Sequence, residues 1–76
     1  MSTVAMWISV NDANSLAPVT NAFFSVGYYN NGNGNYYVYV DSNQTFWVDS
    51  EQYKPQYANS DYYQNMQISL TKDVWP

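Results

Sequence analysis

The segment Asn30-Asn31-Gly32-Asn33-Gly34-Asn35 lies between two runs rich in aromatic residues, Ala22–Tyr29 and Tyr36–Val40. Asn-Gly supplies the two positive φ values of a type I′ turn, whose twist matches that of the flanking strands. A hairpin is therefore expected here. Asn-Gly occurs twice in the segment, so two registers are open.

The rest of the chain reads the same way. Thr3 to Val10 alternates, with Val4, Met6, Ile8 and Val10 on one face and Thr3, Ala5, Trp7 and Ser9 on the other. That is a half-buried strand. Asn11 to Asn21, with Asn, Asp, Ser and Pro18, is a loop. In the next run Phe24, Val26 and Tyr28 alternate against Phe23, Ser25, Gly27 and Tyr29, and Gly27 marks a bulge or a close backbone approach. Tyr37 to Gln44 and Thr45 to Gln52 echo one another as a short strand followed by Val-Asp-Ser and a polar turn. The echo predicts a second hairpin opened by Asp41. Tyr53 to Tyr63 has no clean period and reads either as a long aromatic loop or as a short strand broken by Pro55. Gln64 to Thr71 alternates again and is the best partner for the first strand. Strands are thus predicted near 3–10, 22–29, 36–41, 45–49 and 64–71, with no helix. The fold class is all-β: a small antiparallel sandwich or barrel of about five strands, in one domain over residues 1–76.

A chain of 76 residues with no cysteine and no histidine lacks disulfides and a zinc site, two of the usual supports of a small domain. Association then becomes the expected support. The composition agrees. Nine Tyr, three Trp, three Phe and three Met stand against two Lys, one Glu and no Arg. Apart from the missing arginine, this is the profile of an interface core. Fifteen large rings also exceed what one small core can hide.

Several chemistries are disfavoured by the same inventory. Two lysines and a net charge of −4 cannot form the basic stripe that nucleic acid needs. No apolar run approaches the roughly 20 residues of a membrane helix, and no secretory leader is visible. Asp41, Asp49, Glu51 and Asp61 are candidates for paired-carboxylate catalysis, but Asp41 and Asp49 are already explained as turn openers. Asp12-Ala13-Asn14 and Asp41-Ser42-Asn43 offer hard oxygen ligands but do not continue as a calcium loop. They read as Asx turns. No catalytic residue, metal site or cofactor is expected.

The candidate contact residues are therefore Trp7, Tyr37, Tyr39, Trp47, Tyr53, Tyr57, Tyr62 and Trp75. The leading expectation is a structural or assembly protein of a virion, of capsid-decoration or tail type, whose partners are copies of itself or other protein subunits. Its location is then the virion or an extracellular particle, or the cytoplasm if the protein is not viral. A second expectation is a carbohydrate-binding module, since rings stack on sugar faces while amides and hydroxyls meet their hydroxyl groups. A third is an inhibitor that meets a larger protein through the Asn30–Asn35 turn or the Tyr53–Tyr63 stretch.

Overall fold

The structure, a computed structural model, describes residues 3–61 and 65–73. The elements are all strands: β1 (Thr3–Asp12), β2 (Phe23–Phe24), β3 (Gly27–Gly32), β4 (Asn35–Asp41), β5 (Thr45–Asp49), β6 (Gln56–Asn59) and β7 (Asn65–Leu70). They form one sheet of four strands, ordered β3-β4-β1-β7, and one of three, ordered β2-β5-β6. Neither sheet closes on itself. Met6, Ile8, Val10, Tyr36, Val38, Val40, Ile68 and Leu70 from the first sheet meet Phe24, Phe46 and Val48 from the second in a single buried cluster.

Among the described residues, the five expected strands become seven, and the reasons are local. Phe24, Val26 and Tyr28 do alternate toward the core, but the backbone changes partner between them. β2 pairs with β5, whereas β3 pairs with β4. Ser25 marks the corner: its N–H donates to the Trp47 carbonyl at 3.0 Å and its Oγ accepts the Trp47 N–H at 3.0 Å. Gly27 is neither a bulge nor a close approach, since a Cβ there would meet nothing within 4 Å. The bulge lies at Asn31, between the pairs Asn30↔Tyr36 and Gly32↔Asn35. The turn uses the second Asn-Gly, with φ of 57° at Asn33 and 79° at Gly34. The stretch after Tyr53 resolves into β6, which starts just past Pro55 and pairs with β5.

Two further expectations are corrected. The echo does not make a hairpin, because β4 and β5 lie in different sheets. The connection between them crosses from one sheet to the other and is held by the buried Ser60. Its Oγ donates to the Asp41 carbonyl at 2.6 Å and accepts the Gln44 N–H at 2.8 Å. The pairing is also not wholly antiparallel. β7 does pair with β1, as the matching faces suggested, but the two strands run parallel. A parallel neighbour needs a long crossover, which here is the passage through the second sheet.

The loop after β1 is fixed by side chains. Asp12 Oδ1 accepts the N–H groups of Asn14 at 2.8 Å and Ser15 at 2.9 Å. This is the expected Asx turn, although Asp12 itself is buried. Further on, the buried Tyr36 hydroxyl accepts the Ala22 N–H at 2.9 Å and donates to the Val19 carbonyl at 2.6 Å. Burial pushes the Tyr36 phenol upward from 10.0, partly opposed by the Ala22 N–H.

Candidate aromatic contact faces

Strand register decides which rings meet. Tyr29 lies opposite Tyr37, Tyr37 opposite Trp7, and Trp7 opposite Asn65. Alternate residues of paired strands share a face, so these side chains cross the outer face of the four-stranded sheet in one row. Tyr39 stands beside Tyr37 on the same face, opposite Ala5 and Gly27. The Trp7 and Tyr37 rings are 4.7 Å apart and tilted, and Tyr37 and Tyr39 meet edge to face at 5.3 Å. Tyr37 is half-buried between its neighbours. Tyr29 is 66% exposed, Tyr39 47% and Trp7 46%.

Toward β7 the face becomes polar. Ser9 Oγ donates to Asn35 Oδ1 at 3.1 Å, and Asn11 Oδ1 accepts from Gln67 Nε2 at 3.1 Å and Ser69 Oγ at 3.2 Å. Among the described residues of this face, the one charged side chain is Asp41, at the corner opposite Thr3. Removing such a surface from water therefore costs little charge desolvation.

The three-stranded sheet carries a second group. Trp47 lies opposite Tyr57, and its ring meets Phe23 edge to face at 6.1 Å. Trp47 is half-buried, while Tyr57 is 65% exposed. Asn59 Nδ2 donates to Thr45 Oγ1 at 3.1 Å beside them. Asp49, opposite Phe23, accepts the Ser50 N–H on Oδ1 at 2.8 Å.

The structure thus divides the candidate residues. Trp7, Tyr37 and Tyr39 come together on one outer face, and Trp47 and Tyr57 on the other. Tyr53 joins neither. Its ring packs against the core, and its hydroxyl donates to Asp12 Oδ2 at 2.8 Å. Tyr62 and Trp75 lie outside the described residues. Two members were missed, Tyr29 and Phe23. Phe23 is legible from its alternation with Phe24. Tyr29 is legible in the same way, from its alternation with Tyr28, and only its pairing with Tyr37 needed the register.

Asp12 is the carboxylate with the clearest shift. Hydrogen bonds from the Ser15 N–H, the Tyr53 hydroxyl and the Asn14 N–H hold it at about 2, against 3.8 ordinarily. The same contact raises the Tyr53 phenol above 10.0, with burial adding to the effect. All of this serves the loop. Among the described residues, no group of three acidic, His or Cys side chains is placed to hold a metal ion, and no helix is long and apolar enough to cross a membrane.

The chain matches no protein-family model, no curated protein and no solved structure.

Proposed function

We propose that the chain is a non-enzymatic structural protein, a small two-sheet sandwich that assembles with copies of itself or with other subunits through its aromatic outer surface. A virion component of decoration or tail type is the setting this reading favours. The observation that carries it is the row Tyr29–Tyr37–Trp7 with Tyr39 beside it, on a face whose one described charge stands at the corner. Aromatic side chains offer about 150–250 Å² each, and these four are roughly half covered already by their neighbours. The rings alone thus fall short of the about 800 Å² per partner of a stable interface. The uncharged fringe around them, Ser9, Asn35 and Gln67 among it, adds polar area to the same face.

The test is the native mass in solution across a range of concentrations, for the wild type and for Tyr39→Lys. The substitution places a charge on the face without touching the core. The expected result is a wild-type oligomer that Tyr39→Lys returns to the mass of one 8.8 kDa chain. A wild type of single-chain mass, retained when other subunits of its source particle are supplied, overturns the reading.

A further inference from the structure

Where the loop after β1 meets the turn after β5, an open cleft of about 400 Å³ is lined by none of the rings of the two aromatic faces. This is within the range of small-ligand sites. Pro18, Thr20 and Asn21 line one side, and Glu51, Gln52 and Tyr53 the other. We propose that this cleft binds a neutral saccharide unit. The inference is independent of the assembly reading, since it uses neither outer face.

The chemistry of the lining carries it. Among the described residues, the side chains of Thr20, Asn21, Glu51 and Gln52 make no hydrogen bond. Together they present a hydroxyl, two amides and a carboxylate, giving donors and acceptors in both senses. The hydroxyl groups of a sugar need that mixture. Tyr53 and Pro18 add apolar walls for the C–H faces of a sugar ring. Among the described residues, no cation lines the cleft, and Glu51 together with a net charge of −4 opposes phosphates and carboxylates. A predominantly polar lining equally disfavours a flat apolar ligand.

The walls are held in place before any ligand arrives. Ser50 Oγ donates to the Asn21 carbonyl at 3.1 Å, clipping one side to the other. The Tyr53 N–H donates to the Ser50 carbonyl at 3.0 Å, and the Asp73 N–H to the Gln52 carbonyl at 2.8 Å. Gln52 is kept at a φ of 72°, a left-handed conformation that a non-glycine residue adopts at a cost.

The experiment is a titration of the isotopically labelled full chain, followed by amide chemical shifts. The probes are glucose, galactose, mannose and N-acetylglucosamine, with glycerol as a simple polyol. The expected result is saturable shifts at Thr20, Asn21, Glu51 and Gln52 with at least one sugar, at a millimolar dissociation constant. Glu51→Ala and Asn21→Ala are each expected to weaken that binding about tenfold while leaving the rest of the spectrum in place. The Asn21 contact to Ser50 is through its backbone, so Asn21→Ala keeps the clip. No saturable shift with any of the four sugars overturns the proposal. So does an equal response to glycerol, or shifts that gather on Trp7, Tyr37 and Tyr39 instead.

Discussion

Tyr36→Phe removes one oxygen from the centre of the molecule. Tyr36 is fully buried, and its ring packs edge to face on Phe24 at 5.2 Å, a contact that phenylalanine keeps. The hydroxyl is different, because it serves two backbone groups of the loop before β2. Without it, the Ala22 N–H and the Val19 carbonyl, both on buried residues, lose their partner. An orphaned buried polar group costs about 1–3 kcal/mol. Two such groups, eased by some loop relaxation, give a loss of about 2–4 kcal/mol. At about 0.05–0.15 kcal/mol per residue, a chain of 76 residues has about 4–11 kcal/mol in total. The variant is therefore expected to melt roughly 8–32 °C lower, at about 4–8 °C per kcal/mol for a domain of this size. Thermal unfolding followed by tryptophan fluorescence measures this. Tyr29→Phe, whose ring is exposed, is the control and stays within about 0.5 kcal/mol of the wild type. A Tyr36→Phe midpoint within about 3 °C of the wild type would show that solvent reaches the loop carbonyl and amide, and would refute the reasoning.

Stability is expected to fall at both ends of the pH range around Asp12, at the acid end through its hydrogen bonds from the Ser15 N–H, Tyr53 hydroxyl and Asn14 N–H, and at the alkaline end through the Tyr53 hydroxyl. The Asp12 pKa is depressed on folding, so its contribution is complete above 3.8 and is lost as pH falls toward about 2. Tyr53 is raised on folding, so its contribution is complete below 10.0 and is lost as pH climbs through the elevated folded value. Denaturation midpoints against pH check this, with Asp12→Asn expected to flatten the acid limb and Tyr53→Phe to shallow the alkaline one. Gly34→Ala is expected to destabilise by at least about 2 kcal/mol, since φ is +79° and the new Cβ would lie 2.8 Å from both Pro18 Cβ and the Val10 carbonyl oxygen. Gly32→Ala, with a φ of +89° but open space around it, is expected to cost less, as read from the urea denaturation midpoints of the two variants. Ser60→Ala strips the sheet-to-sheet connection of two contacts and is expected to cost about 1–3 kcal/mol, read from the same midpoint.

How much of this was written in the sequence differs from element to element. β1 and β7 were legible, because period-two alternation of Val, Met, Ile and Leu names both the strand and its buried face. The Asn-Gly turn was legible in kind but not in register. The choice between two adjacent Asn-Gly pairs, and the extra residue at Asn31, depend on which face of β3 finds the core. A shift of one residue moves every side chain to the other side. The break between β2 and β3 was hidden for the opposite reason. Phe24, Val26 and Tyr28 keep facing the same core while the backbone ladder changes partner. The three candidates Trp7, Tyr37 and Tyr39 were identifiable singly as large rings on polar faces, but their union needed the β1–β4 register. The cleft was invisible in the sequence, because it joins residues about thirty positions apart through the Ser50 clip.

The two aromatic groups stand on sheets that share one core and turn their outer faces away from it, which sets the form an assembly can take. The faces differ in sequence and in strand number. A self-complementary contact through either face alone closes at a dimer, whereas contacts through both add subunit after subunit. The concentration dependence of the native mass separates these cases. Growth without a plateau means that both faces are used, and a plateau at two chains means one. Tyr39→Lys blocks the first face and Tyr57→Lys the second. If both faces bind, each single variant stops at two chains and the double variant stays single. If only the four-stranded face binds, Tyr57→Lys leaves the mass unchanged. Equal loss of all association in both single variants would contradict independent faces, and would instead require one contact joining the first face of one copy to the second face of another.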